Sequence, residues 1–382
     1  MGFHEFSSPY DWSRIAAYKR TAKAAFGGMI DLSVGSPVDP VPDSVRKALA
    51  VAANDPNAYG YPATAGTADL RAAIAEWFSA TRNVDLQAIH ADVVPTVGSK
   101  EGVALMASLL HFGEDDVVVQ PKVSYPTYEI GTQLAGAKVL KVDDVADVAS
   151  WRNVPGVKAV WVNSPCNPTG EVYSAERMAG IVAAAREIGA VVLSDECYAL
   201  MQWRGATNSA DDDPLQSTPC ALRSDVCAGS AEGVLVLYSL SKQSNMAGYR
   251  TAFIAGDESL IASMSAYRKQ IGQIIPGPVQ AAMAAGLRDL ESVKVQHARY
   301  RERLGVLVSA LRAYGYCTDM PDGALYVWVR AKSGDCWTDM EQLAKIGIIA
   351  SPGEFYGAPE CLRFSATASD EAIASAAERL AR

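Results

Sequence analysis

No stretch of this 382-residue chain approaches the roughly 20 consecutive apolar residues that cross a bilayer as a helix. The opening MGFHEFSSPYDW also lacks the basic and apolar regions of a secretory leader, so a cytoplasmic protein is expected. The seven cysteines (Cys166, Cys197, Cys220, Cys227, Cys317, Cys336 and Cys361) include no CxxC pair, and an odd number suits neither a disulfide framework nor a zinc site. They read as reduced thiols. The four histidines show no metal-ligand spacing. Basic residues are nowhere clustered and the net charge is -9, which speaks against nucleic acid and anionic membranes, because counterion release needs Lys and Arg gathered on one face. There is no internal repeat and no low-complexity segment. Small-molecule chemistry is what remains.

Apolar residues make up 49% of the chain, enough for a sizeable core, and the length fits two domains or a large one with a smaller one attached. From about residue 92, short β-branched runs alternate with longer helical ones: DVVPTVG, DDVVVQ, KAVWVNSP, AVVLSDECY, GVLVLYSLS and RTAFIAG. Several are continuously apolar, the mark of strands covered on both faces in a mainly parallel sheet. Between them, SAERMAGIVAAAREIG carries Ser174 as an N-cap, Glu176 in the first turn and Gly189 as a stop. After about residue 276 come two long helices, the short strands ALYVWVR and CLRFSAT, and a final helix. The expected division is an N-terminal arm over 1–43 with little periodicity, a large α/β domain over 44–275 and a smaller α+β domain over 276–382.

Ligands of an open parallel sheet bind at the carboxyl ends of its strands. Polar residues gather at four such ends: Gly98 to Lys100, Asn163 to Gly170, Asp195 to Tyr198, and Ser239 to Lys242. A lone lysine on a turn is usually a surface group. Beside Asp195, Tyr198 and Asn167, Lys242 reads instead as an imine-forming nucleophile, and an acid available to a ring nitrogen makes pyridoxal phosphate (PLP) the economical partner. A nicotinamide oxidoreductase would want a glycine-rich turn that VGSKEG lacks. A non-enzymatic sensor fused to a DNA-binding module would want a basic helix-turn-helix, which is also missing.

The motifs NSPCNPTG, SDECY, SLSKQSNMAGYR and LRFSAT, in this order and at these separations, resemble the fold-type I, class I/II PLP-dependent aminotransferases over nearly the whole chain. The resemblance implies a fold-type I PLP-dependent transferase, with a seven-stranded, mainly parallel sheet and a homodimer with shared active sites. It implies that Lys242 holds the cofactor as an imine and then shuttles a proton. Asp195 would pair with the pyridine nitrogen, and Asn167 and Tyr198 with the ring's phenolate oxygen. Arg250, Ser239, Ser241 and the amides at the N-terminus of the helix that follows Gly98 (Ser99, Lys100) would hold the phosphate. Tyr125 would stack on the ring, Tyr61 would reach the phosphate of a neighbouring subunit, and Arg363 would fork onto the substrate's α-carboxylate beside a loop at Gly35. A strand-edge surface arginine and a simple turn glycine are the plainer readings of those last two.

Further motifs, among them DLSVGSPVDPVP, YGYPATAG, SYPTYEIGTQLAGAKV, PGPVQAAM and SPGEFYG, are similar to the actinobacterial N-succinyldiaminopimelate aminotransferases. That similarity implies amino transfer between N-succinyl-LL-2,6-diaminopimelate and 2-oxoglutarate; another class I/II aminotransferase and a PLP-dependent C–S β-lyase are the alternatives. Both suspected substrates carry a distal carboxylate, so a second cation is expected. Arg268 and Lys269, reaching across a dimer interface, are candidates, against the reading that both sit on a solvated helix face; Lys100 lies at the pocket floor. Cys166 departs from the usual motif, and ATNSADDDPLQSTPC reads as a variable loop near the mouth.

Overall fold

The computed structural model describes residues 10–203, 215 and 218–382. Most of the ATNSADDDPLQSTPC segment lies outside these described residues. Twelve strands are formed among the described residues: β1 (Ile30–Asp31), β2 (Ala91–Val97), β3 (Val117–Pro121), β4 (Lys138–Val142), β5 (Val157–Asn163), β6 (Val191–Asp195), β7 (Val234–Ser239), β8 (Thr251–Asp257), β9 (Tyr326–Arg330), β10 (Ile348–Ile349), β11 (Ser351–Pro352) and β12 (Cys361–Ser365). Seven of them make one sheet in the order β2-β8-β7-β6-β5-β3-β4. Its pairings are parallel except those of β8, which runs antiparallel to both β7 and β2.

The continuously apolar runs are the interior strands. Val234–Ser239 is buried along its whole length, and Val157–Asn163 at all but one position. One face of the sheet packs into a large core around Trp77, Phe78, Tyr238 and Phe253, the other into a smaller cluster around Met106, Tyr128 and Trp161. β4, missed as a strand in the sequence, is the sheet's edge: in its KVLKV the two lysines are exposed, Val139 and Leu140 half-buried and only Val142 buried. Ser174 caps its helix by accepting from the Arg177 amide at 3.2 Å, and Gly189 sits just past the helix end with φ +67°.

A third core joins β9, β10 and β12 to the N-terminal segment, where β1 pairs in parallel with β10. The expectation of little periodicity over 1–43 fails at Ala16–Ala24, which is a helix. Two helices beyond residue 275 tie the cores together. Helix Gly277–Arg288 buries Ala282, Met283 and Leu287 in the large-sheet core, and helix Leu290–Ala313 spans both cores, with Val293 in one and Tyr300 and Leu304 in the other. A long helix with two apolar patches carries no signal for where one core ends.

Candidate active site

The carboxyl ends of β2, β5, β6 and β7 open on one cleft of about 290 Å³. Because β8 runs the other way, the residue preceding it reaches the same edge, and that residue is Arg250. Its backbone is left-handed at φ +57°, uncommon for a residue other than glycine. Gly98, with φ +78°, links β2 to helix Ser99–Leu109, and a Cβ there would collide with the Arg250 guanidinium. The Ser239 hydroxyl donates to Ser241 Oγ at 2.7 Å and accepts from the Ser241 amide at 3.1 Å. Ser99 and Lys100 open the helix beside them, and all of these side chains line the cleft. Desolvation and then the Arg250 guanidinium push the Lys100 ammonium below the usual lysine range. The Arg250 guanidinium, hydroxyls and a helix N-terminus around one space form a cradle suited to a phosphate, with the Lys100 ammonium beside it.

Deeper in the cleft stands a carboxylate without a cation. Asp195 is 6% exposed; it accepts from the Tyr128 hydroxyl at 2.8 Å and the Cys197 amide at 3.2 Å. No ion pair to it is found among the described residues, and burial holds its carboxyl above the usual range in spite of those two donors. The opposite case faces it. Arg363 is 4% exposed, donates to Asn167 Oδ1 at 2.7 Å and to the Ser33 carbonyl at 2.8 Å, keeps Nε unpartnered, and has no carboxylate partner among the described residues. Its guanidinium lies over the rings of Tyr326 and Tyr356, 4.0 and 4.8 Å from their centroids. Lys242, just after β7, donates from Nζ to the Gly35 carbonyl.

The donor set fits PLP: a phosphate cradle, a buried carboxylate for a protonated ring nitrogen, a lysine between them, and hydroxyl and amide groups at Tyr198 and Asn167 for the ring oxygen. The cleft therefore gathers Gly35, Ser99, Lys100, Tyr125, Asn167, Asp195, Tyr198, Ser239, Ser241, Lys242, Arg250 and Arg363, with Gly98 beneath the cradle. It does not gather three others. Tyr61 is wholly exposed on the chain's surface. Lys269 is exposed near the end of helix Glu258–Gln270 and does not line the cleft. Arg268 is not on a solvated face: it is fully buried, and its guanidinium forks onto Glu101 of its own chain at 2.8 and 3.1 Å.

Sequence reasoning missed Tyr326, whose hydroxyl lies 2.6 Å from that of Tyr198; Tyr128 and Cys197 beside Asp195; and Tyr10 and Trp12 at the cleft wall. Only Tyr128 carried a local signal, following Tyr125 by three residues on KVSYPTY.

The family model Aminotransferase class I and II matches residues 27–380. The chain is a class I and II aminotransferase. Like the rest of its family it has the fold-type I architecture, depends on PLP, and acts on amino and keto acids. This aminotransferase is 40% identical over 373 residues to the 4-dedimethylamino-4-oxo-anhydrotetracycline transaminase OxyQ of Streptomyces rimosus, covering 97% of this chain and 98% of OxyQ. It is also 40% identical over 377 residues to a probable aminotransferase of Mycobacterium tuberculosis, with 97% and 84% of the two chains covered. Among solved structures, a probable N-succinyldiaminopimelate aminotransferase of Thermus thermophilus superposes with a TM-score of 0.84 at 27% identity, covering 97% of this chain and 99% of that one. Among the described residues, no helix is long and apolar enough to cross a membrane.

Proposed function

We propose that this aminotransferase moves an amino group between N-succinyl-LL-2,6-diaminopimelate and 2-oxoglutarate. The observation that carries the reading is the pairing of two buried, uncompensated charges across one cleft: Asp195 for a ring cation and Arg363 for an α-carboxylate. Bound PLP supplies an electron sink for the carbanion formed at the substrate's α-carbon. Lys242 would hold the cofactor covalently through Nζ and, once released, would take the proton from the substrate's α-carbon and deliver it to the cofactor carbon that Nζ had held, the move between two carbons on which amino transfer depends. Asp195 keeps a proton on the pyridine nitrogen. The Tyr198 hydroxyl donates to the ring oxygen; its own oxygen then has to accept, and the Tyr326 hydroxyl 2.6 Å away is the donor. Ser99, Ser239, Ser241 and Arg250 hold the phosphate, and Tyr125 covers the ring face. Arg363 forks onto the α-carboxylate, while Asn167, already bonded to Arg363, faces the ring oxygen. Tyr61, wholly exposed in the single chain, completes the site of a second copy in a homodimer.

The distal carboxylate of both substrates goes to Lys100. Of the three cations considered for it, Lys100 alone lines the cleft, with its ammonium 5.6 Å from the Tyr10 ring centroid. The likeness to the Thermus thermophilus protein supports this reading. A second reading, an aminotransferase for a bulky ring ketone, is favoured by the aromatic wall of Tyr10, Trp12, Tyr326 and Tyr356 and by the similarity to OxyQ. One panel separates them: the PLP-loaded enzyme is given succinyl-diaminopimelate, glutamate and alanine as donors and 2-oxoglutarate or a polycyclic ketone as acceptor. Succinyl-diaminopimelate turning over fastest with 2-oxoglutarate supports the first reading. Turnover confined to the ring ketone overturns it, and pyruvate with ammonia from a cysteine conjugate would mark a lyase.

A further inference from the structure

We propose that Arg268 is a positioning residue for cofactor binding: by neutralising Glu101 it preserves the attraction of helix Ser99–Leu109 for the phosphate. The inference rests on the reading of the Ser99–Arg250 cradle as the phosphate site. Glu101 stands in the first turn of that helix, two residues after Ser99, and its Oε2 accepts from the Val97 amide at 3.2 Å where β2 ends. A carboxylate in a first turn is ordinarily favourable, since it meets the positive end of the helix dipole. Here the same end is needed for a dianion, and an uncompensated Glu101 would repel the ligand that its helix has to hold.

Arg268 removes that conflict from 167 residues away in the chain. It occupies the last turn of helix Glu258–Gln270, and its two terminal nitrogens meet the two Glu101 oxygens at 2.8 and 3.1 Å. The arginine side chain is 0% exposed and that of Glu101 16%. Burying such a pair carries a desolvation penalty that an apolar pair of similar volume would avoid, and Nε is left without a partner. The penalty is understandable if Glu101 is wanted at Val97 and its charge is not wanted at the phosphate.

A charge role and a merely structural role predict opposite signs. Apoenzyme is titrated with PLP, and inorganic phosphate is used as a competing probe that reads the cradle without the covalent bond to Lys242. Arg268→Met is expected to weaken both ligands roughly tenfold, because it exposes the phosphate to an unpaired carboxylate. Glu101→Gln, which can still accept from Val97, is expected to bind both at least as tightly as wild type even if it is less stable. The double variant is expected to return to within about threefold of wild type. Glu101→Gln weakening the ligands as much as Arg268→Met, or a double variant no better than Arg268→Met, overturns the proposal. If Arg268→Met fails to fold, the sign of the Glu101→Gln effect decides alone. Arg250→Ala is measured beside them: if it binds phosphate like wild type, the cradle reading itself falls and takes the proposal with it, whereas a weakened Arg250→Ala leaves the cradle standing and isolates the charge pair.

Discussion

Two side chains set the chemistry at the scale of single residues. Lys242→Ala is expected to abolish transamination and the visible absorbance of the covalently bound cofactor, because no other lysine in the cleft is placed between the cradle and Asp195; Lys100 sits on the cradle side. A variant that keeps both the band and turnover would remove Lys242 from its role. Tyr326 is subtler, since it meets three parts of the site at once. Its hydroxyl bonds Tyr198, its ring underlies Arg363 at 4.0 Å, and that hydroxyl stands where a Cβ on Gly35 would have to be. Tyr326→Phe keeps the ring under Arg363 and removes only the donor to Tyr198. It is expected to lower kcat roughly fivefold, the worth of about 1 kcal/mol of hydrogen bonding, with little change in KM. The pH titration of the bound cofactor's absorbance should shift upward, because a weaker Tyr198 donor leaves the ring oxygen and its neighbouring nitrogen more basic. A large KM change with an unmoved titration would instead tie Tyr326 to substrate binding.

The elements explain both what was readable in the sequence and what was not. Strands in a parallel sheet are short apolar runs, and their functional ends announce themselves as glycine, asparagine, aspartate or lysine immediately afterwards, which is why Gly98, Asn167, Asp195 and Lys242 were found without coordinates. Contacts between elements have no such mark. Arg268 with Glu101, Tyr198 with Tyr326, and the fully buried Arg82 with Glu196 at 2.5 Å pair residues 114 to 167 positions apart, and nothing local to either partner tells which residue it will face. β4 was lost because this edge strand exposes two lysines and buries only Val142, and the helix Ala16–Ala24 because it buries only Ala22. The junction of β2 with its helix shows an element-scale constraint that can be tested. Gly98→Ala has to accept φ +78° with ψ 154°, a region nearly confined to glycine that costs about 1 to 3 kcal/mol, and its methyl group has to displace the Arg250 guanidinium. PLP affinity measured by titration of the apoenzyme should fall at least about tenfold, because the displaced guanidinium leaves the cradle. Unchanged affinity would show that Arg250 can move without loss of the phosphate.

Across the whole molecule, acid and base titrations pull in different directions, and the active site works against the rest. Burial alone would raise Asp39, Asp257, Asp289 and Asp339, but the hydrogen bonds each accepts carry it below the usual range, with Arg303 and Gln296 serving Asp39. A folded-state pKa below the unfolded value contributes stability above about pH 4 that is lost as pH falls through the depressed value, so the protein should lose stability on the acid side. Asp195 has the opposite sign: burial raises it, so the folded chain holds its proton to higher pH than the unfolded chain, and stability is lost as pH rises from about 4 through the raised value. Either way, by holding its proton or by holding a buried charge that no cation offsets, Asp195 costs the apoenzyme stability at neutral pH. Asp195→Asn keeps the acceptor for Tyr128 and removes the charge. Without cofactor it should melt at a higher temperature than wild type at pH 7, and the difference should shrink as the pH is lowered toward 4. Adding PLP should reverse the order, because only wild type gains a charge-assisted bond to the ring nitrogen, and transamination in the variant should be on the order of a thousandfold slower. An apo Asp195→Asn that melts below wild type at pH 7 would mean that the carboxylate is already compensated within the chain, and would remove Asp195 from its role as the partner of a ring cation.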